Sequence, residues 1–452
     1  MNPSEEKRIK TISRIGKFVK FFTLMVLGFT FLFAVSGFVI VRWYKDDVIR
    51  LIVEELNKKI LTKVDVGKIE FSVFEKFPNA SLMFENVKVL EVSKRKTKDH
   101  LLSAKKLYLE FNLLNIFNKQ YTIKKIEIEN GSLTIRHFED GSVNYNIFKK
   151  GDNNTSTNFK LRLEKVKLSA INISYHDEQT GFILDGLAKN IDLKGLFDET
   201  NYELKVSGPL FTEKLENEGV NYIKNKWCNL LLNLSVKDNS LFEFTDASVT
   251  IEKMVFDLKG NMRTINDQTK IDLKIEGKDL DIESIVSLLP EKYNKKLDGL
   301  NSDGKFYFNC SVSGISSNKN TPEIKCLFGI NNGKVRKDGV DAVFNKINLC
   351  GNYFGGNKSK KSQLHISKFD GYLDQGHIQG TLIVNDLSNP YYIIQADANF
   401  NLNTLQQFLK SDTLEILSGD TKLNFKWEGS QKAFQSYTIK DIKSIKTSGT
   451  IT

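Results

Sequence analysis

From Thr62 onward the chain alternates apolar and polar residues with a period of two, and this alternation restricts it to a β-rich fold. Val64, Val66, Ile69 and Phe71 lead into Phe77-Pro78-Asn79-Ala80, after which Leu82, Phe84, Val87 and Val89 continue the pattern. Leu107, Leu109 and Phe111 alternate with Tyr108 and Glu110. Ile126-Glu127-Ile128 and Leu133-Thr134-Ile135 flank Asn130-Gly131, which predicts a hairpin turn there, because Asn-Gly supplies the positive φ angles of a tight turn. Asp140-Gly141 predicts a second turn before Val143, Tyr145 and Ile147. A shift of forty residues superposes Ile123, Lys125, Ile126, Ile128, Leu133 and Gly141 on Leu163, Lys165, Val166, Leu168, Ile173 and Gly181, a period in the range of modular arrays. Farther on, apolar-x-apolar-x-Gly recurs at Leu204/Val206/Gly208, Phe256/Leu258/Gly260, Leu273/Ile275/Gly277, Cys310/Val312/Gly314 and Phe425/Trp427/Gly429. Strands with one apolar face that end at a glycine would read this way. Helical signals are few: Asp281–Leu289, stopping at Pro290, and Thr404–Leu417.

Ahead of this β-rich part lies an uncharged run, Phe21–Val41, with Phe21, Leu24, Leu27, Phe31, Phe33, Phe38 and Val41 among its anchoring residues. As a helix rising about 1.5 Å per residue it spans the ~30 Å hydrocarbon core of a bilayer. Lys7, Arg8, Lys10, Arg14, Lys17 and Lys20 precede it, so the N-terminus is expected in the cytoplasm and the remainder outside it. Ala34-Val35-Ser36 resembles a signal-cleavage site, but the run continues through Phe38-Val39-Ile40-Val41, and an uncleaved anchor is expected. Tyr44, Val48, Leu51, Ile52, Leu56 and Ile60 fall on one face of an amphipathic helix, which lies on headgroups or, as expected here, caps the next domain. The chain therefore divides into a basic tail (1–20), a transmembrane helix (21–41), a juxtamembrane helix (42–61) and a β-rich region (62–452).

The chemistry of an enzyme is not apparent. His100, His137, His176, His365 and His377 are isolated in sequence, and no HExxH, G-x-S-x-G or Walker A pattern occurs. Gly351–Ser362 lacks the Gly-Lys-Ser/Thr order of a phosphate loop and reads as a surface turn. Neither catalytic nor metal-binding residues nor a cofactor are expected. The net charge of +10 suits a surface near anionic headgroups or an ordinary lysine-rich surface, and no nucleic-acid-binding motif accompanies it. Cys228, Cys310, Cys326 and Cys350 have no zinc-site spacing; Cys310–Cys326 is the nearest pair for a disulfide, with buried free thiols the alternative.

So many one-sided strands need a cover for their apolar face, and the few helices do not supply it. A sandwich, a closed barrel and a long curled sheet with an open apolar groove all satisfy this requirement. In the last, Leu107, Leu109, Phe111, Ile126, Ile128, Leu133 and Ile135 would line the groove first. Val166, Leu168, Ile171, Ile173, Leu204 and Val206 would follow, then Phe256, Leu258, Leu273, Ile275 and Val312.

The order of four segments resembles a known family: Val64-Asp65-Val66-Gly67-Lys68-Ile69-Glu70-Phe71, Phe77-Pro78-Asn79-Ala80-Ser81-Leu82, Asn86-Val87 and Asp140-Gly141-Ser142-Val143-Asn144-Tyr145, behind a basic start and a single anchor. Together they look like the AsmA family of Gram-negative bacteria in a Bacteroidetes-type version. That resemblance implies a mainly β fold, an elongated, curled antiparallel β-groove like that of chorein-type bridge-like lipid-transfer proteins, anchored in the inner membrane and projecting into the periplasm. It implies phospholipid as partner, a part in phospholipid movement and outer-membrane integrity, and no catalytic residues. Family members usually run further, whereas Ile445–Thr452 still alternates, an edge open to pairing with outer-membrane or envelope proteins. A periplasmic scaffold or assembly factor without a lipid conduit is the second function class, and a membrane-anchored enzyme the third.

Overall fold

The alternating segments form twenty strands of one open, curled sheet. The chain's structure is a computed structural model describing residues 60–72, 74–76, 79–95, 99–112, 121–147, 149, 159–196, 200–217, 219–265, 268–288, 299–317, 319–356, 361–409, 418–430 and 445–452, with scattered positions between 22 and 57. The strands are β1 (Val64–Asp65), β2 (Lys68–Ser72), β3 (Asn79–Leu90), β4 (His100–Asn112), β5 (Tyr121–His137), β6 (Phe159–Asp177) and β7 (Phe182–Lys194). Next come β8 (Tyr202–Asn217), β9 (Val220–Lys237), β10 (Leu241–Ile251), β11 (Met254–Ile265), β12 (Gln268–Asp281) and β13 (Leu300–Ser316). The last are β14 (Glu323–Lys337), β15 (Val343–Gly355), β16 (Gln363–Leu373), β17 (Gly376–Asn385), β18 (Tyr391–Asn401), β19 (Asp420–Ser430) and β20 (Lys446–Ile451). Two short helices, α1 (Ile282–Val286) and α2 (Leu402–Leu409), follow β12 and β18.

β1 and β2 lie end to end on one edge of β3, with Val64 opposite Val89 and Phe71 opposite Leu82. From β3 onward each strand pairs with the next in sequence. The two outer edges do not pair with each other, so the sheet is not a closed barrel. At ~4.8 Å per strand it runs on the order of 90 Å. Every ladder is antiparallel except β5–β6, which is parallel. The forty-residue shift is the register of that pair: Lys125 faces Lys165, Ile126 faces Val166, Ile128 faces Leu168 and Leu133 faces Ile173. The self-similarity places like residues side by side on adjacent strands rather than marking stacked modules. A parallel pair requires a long crossover, and the segment between His137 and Phe159 provides it.

The hairpin predicted at Asn130-Gly131 does not form. β5 runs through it for 17 residues, because β4 and β6 hold both of its edges; Gly131 pairs with Ala104 and Ile171. Asn130 takes a left-handed φ of 54° inside the strand, a conformation Asn tolerates better than most residues. That single residue reverses the phase of alternation, so Ile128 before it and Leu133 after it pack in one cluster. Asn86 in β3 (φ 52°) does the same between Phe84 and Val87, and Ala170 in β6 (φ 53°) between Leu168 and Ile171. Without the reversal every apolar side chain beyond it would turn to water. Asp279, Gly304, Asn332 and Lys346 repeat the device in β12 to β15, at shifts in the ladder register. These residues lie toward the rim that carries α1 and α2. Bulges bend strands, and a file of them across successive strands curls the sheet along its length.

Of the glycines in the apolar-x-apolar-x-Gly runs, Gly429 and Gly314 lie within two residues of the ends of β19 and β13, whereas Gly208, Gly260 and Gly277 lie inside their strands. β8 and β11 continue past Gly208 and Gly260, where a Cβ would meet Asn190 O at 2.1 Å and Asp272 O at 2.0 Å. They permit close backbone approach. At Gly131 the added Cβ would lie 1.9 Å from Ser103 O. Gly131→Ala is therefore expected to cost about 2 kcal/mol or more, whereas Asn130→Gly, which keeps the left-handed φ, stays within about 0.5 kcal/mol. Urea unfolding midpoints measure both.

The helices are shorter than predicted or partly outside the described residues. Asp281 caps α1, accepting from Ser284 N at 2.9 Å, and the helix ends at Val286 instead of Leu289. α2 starts at Leu402, and 410–417 lie outside the described residues. Within the apolar run, residues 22, 23, 25–29, 32 and 35 are helical; Leu27 and Phe29 are 59% and 74% exposed. Phe21, Leu24, Phe31, Phe33, Phe38 and Val41 lie outside the described residues. Among the described residues no helix is long and apolar enough to cross a membrane. Of the expected juxtamembrane helix face, Tyr44, Val48, Leu51, Ile52 and Leu56 lie outside the described residues and Ile60 sits in an isolated bridge; Ile49 and Val53, which are not on that face, are helical and pack on the first apolar cluster.

Candidate apolar groove

Directly opposed residues on neighbouring strands share a face, so the ladders trace that face from strand to strand. One file starts at Leu82 and passes through Leu109, Ile126, Val166, Leu193 and Val206. It continues through Leu232, Ala247, Leu258, Ile275, Cys310 and Cys326. Tyr353, Leu364, Val384, Tyr392 and Gly429 complete it. No charged or amide side chain interrupts it between β3 and β19. A second file, Leu280, Phe306, Ile330, Leu349, Phe369, Gly380, Ala396 and Phe425, runs beside it in the later strands.

The lining residues read from the sequence fall on this face. Leu107 and Ile128 are partners, Leu204 faces Leu234, Leu273 faces Val312, and Phe256 faces Val249. Leu133 and Ile173 join through the phase reversals, and Ile135 follows Leu133 by alternation. Phe306, Phe308, Phe328, Leu349 and Phe369 were not among them. Their signal is the same alternation, Phe306-x-Phe308-x-Cys310-x-Val312, and their rings meet: Phe306–Phe308 at 6.2 Å, Phe306–Phe328 at 6.4 Å and Phe344–Phe369 at 5.7 Å.

This face is not equally open along its length. Around β2 to β5 it is filled: Leu82, Phe84, Phe111 and Ile123 are buried, with Ile49, Val53 and Ile147 packed on their cluster. Leu61 N donates to Ile147 O at 2.7 Å, tying the crossover to the end of the juxtamembrane segment. Around β6 to β8, side chains of the neighbouring strands β5 to β9 pack together and bury Leu168, Ile171, Ala188, Ile191 and Leu210. Leu109, Phe111, Leu168 and Ile171 are therefore core residues rather than the wall of an open path. From β11 to β14, Phe256, Leu258, Leu273, Ile275, Phe308 and Val312 are half-buried. Among the described residues only α1 is seated near them, where Ile282 approaches Gly304 and Gly333.

No protein-family model, curated protein or solved structure matches the chain. What the remaining polar groups do is set out by their own geometry.

The outer face carries charge. Glu127, only 3% exposed, accepts from Lys167 at 2.8 Å, Lys76 at 3.0 Å and Lys125 at 3.1 Å. Burial alone would raise its pKa, but the hydrogen bonds from Lys167, Lys76 and Lys125 hold it down at about 2. Burial likewise opposes the charge on Lys125, yet Glu110 and Glu127 keep its pKa above the ordinary value. Burial and a 3.0 Å hydrogen bond to Glu75 push the Tyr108 phenol up. The segment after β2 thus lies on the outside of β3 to β5, held by ion pairs. A carboxylate so firmly ionised beside cationic lysines is built to clamp, not to exchange protons near neutrality.

Asn144, fully buried, has a similar role. Its Oδ1 accepts from Arg136 N at 2.8 Å, and its Nδ2 donates to Thr134 O at 2.8 Å and Glu91 Oε2 at 3.2 Å. It fastens the start of the crossover to β5 and to the end of β3. Ser174, His176 and Asp185 converge, with Ser174 Oγ 3.0 Å from His176 Nε2, but Asp185 Oδ1 meets that same nitrogen at 3.1 Å. A proton relay needs the carboxylate on the other ring nitrogen, so the trio does not have hydrolase geometry. Cys310 and Cys326 form a disulfide between facing positions of β13 and β14, while Cys228 and Cys350 are free. A cavity of about 690 Å³ near α2 is lined by Leu373 and Phe400 together with Asp374, Asn399, Asn401, Asp420 and Lys422, a mixed apolar and polar setting.

Proposed function

We propose that the chain is an inner-membrane-anchored periplasmic protein that holds phospholipid acyl chains along the apolar face of its sheet. In this role it contributes to phospholipid movement and outer-membrane integrity. The observation that carries this reading is the uninterrupted apolar file from β3 to β19, half-buried through β11 to β14. Each methylene that such a face removes from water contributes about 0.8 kcal/mol, so even partial seating of an acyl chain is favourable. Headgroups stay in water at the open side. The apolar run with its basic flank supplies an anchor, and the Cys310–Cys326 bond suits an oxidising compartment. The resemblance of its short motifs to the AsmA family points the same way. The scaffold reading draws on the filled reach of β2 to β8, which behaves as ordinary core. Mass spectrometry of a lipid extract from the purified full-length chain separates the two: about one or more phospholipids per chain supports the groove, and none supports the scaffold.

A further inference from the structure

In the later strands the apolar face is graded from one rim to the other. Along β15 it runs Tyr353, Gly351, Leu349, Ile347 and Phe344; along β18 it runs Tyr392, Ile394, Ala396, Ala398 and Phe400. In both, tyrosine stands at the rim opposite α1 and α2, small and aliphatic residues fill the middle, and phenylalanine stands at the rim that carries the helices. β19 adds Trp427 near the tyrosine rim, its ring 6.5 Å from that of Tyr392. Two of these rings lean outward over glycines. A Cβ on Gly355, the last residue of β15, would run into the Tyr353 hydroxyl, and one on Gly429 would meet Trp427 Cη2 at 2.8 Å. The phenol and the indole therefore extend toward the same rim, and Tyr353, Tyr392 and Trp427 are all half-buried.

We propose that phospholipid in this reach lies along the strands, with its phosphate headgroup at the rim of Tyr353, Tyr392 and Trp427 and its acyl chains directed toward Phe344 and Phe400. The proposal rests on the lipid-binding reading and adds to it the place and orientation of the headgroup. Tyrosine and tryptophan settle where one end of the ring is apolar and the other wet, which is the position of a headgroup above hydrocarbon. A phenol O–H and an indole N–H can donate to phosphate oxygens, whereas the reverse orientation would set the phosphate against phenylalanine rings, which donate nothing. The dimensions agree. Tyr392 and Phe400 stand eight residues apart in β18, about 27 Å at ~3.4 Å per residue. The acyl chains of one leaflet occupy about 15 Å, half of a ~30 Å hydrocarbon core, so they fit between the two rims.

The test reads tryptophan fluorescence of the full-length chain in vesicles of phosphatidylethanolamine and phosphatidylglycerol. The vesicles also contain a phosphatidylcholine brominated on its acyl chain, either next to the headgroup or near the methyl end. Trp43→Phe and Trp227→Phe leave Trp427 as the only emitter. A reporter at the opposite rim is made by adding Trp427→Phe with Phe400→Trp, or with Phe344→Trp should the first not fold, each variant first matched to the parent by circular dichroism and melting temperature. Trp427 is expected to be quenched about twofold more by the bromines next to the headgroup, as a ring at headgroup level is, and the opposite reporter about twofold more by those near the methyl end. Equal quenching by the two lipids at either reporter, or the reverse order, overturns the headgroup rim and leaves lipid binding standing. No quenching of either reporter by either lipid overturns lipid binding itself.

Discussion

Leu168→Asp is expected to unfold the first half of the sheet, whereas Leu258→Asp is expected to leave the protein folded. Both residues belong to one apolar face, and both look alike in sequence. Leu168 is 6% exposed within a cluster of side chains from the neighbouring strands β5 to β9. A carboxylate there has neither water nor a cation, and costs several kcal/mol, on the order of the whole stability of a domain. Leu258 lies half-buried between Ala247 and Ile275, where a carboxylate can turn toward solvent at the open side. Its cost should be about 1 kcal/mol. Melting curves by circular dichroism read the difference. A loss for Leu258→Asp as large as that for Leu168→Asp would mean that the later strands are covered like the earlier ones.

The second large effect concerns the outer face. Glu127→Ala is expected to cost about 3–5 kcal/mol, because three lysines at 2.8–3.1 Å lose their shared counter-ion. The same group gives the fold an acid limit. Its pKa is about 2 in the folded chain against an ordinary 4.5, so its stabilisation is complete above about pH 4.5 and is lost as the pH falls toward 2. Chemical unfolding followed between pH 6 and pH 2 should show this loss in the parent and a flatter profile in Glu127→Ala. Equal slopes would remove Glu127 from the account of acid sensitivity.

The alternation carried most of the architecture. It identified the strands and put the lining residues on one side, because a period of two projects alternate side chains to opposite faces whatever the neighbours are. The order of events within strands was less legible. Asn130-Gly131 has the composition of a turn, and only the edges of β4 and β6 on either side keep it extended. The phase changes at Asn86, Asn130 and Ala170 are visible in the sequence as apolar pairs three apart, Phe84/Val87 and Leu168/Ile171, but they resemble strand ends until the ladders are known. The β5–β6 parallel pair was hidden in the forty-residue shift, which has one reading as a repeat and another as a register. The filling of the face around β2 to β5 involves Ile49, Val53 and Ile147, residues that lie outside the strands they pack on.

The central claim, that the later reach of the apolar face holds lipid, is tested most directly by counting lipid on the purified full-length chain beside its Leu258→Asp/Val312→Asp variant. Quantitative mass spectrometry should find phospholipid on the parent and lose most of it in the variant, with the melting temperature nearly unchanged. A parent free of phospholipid, or a folded variant carrying as much as the parent, would contradict the claim.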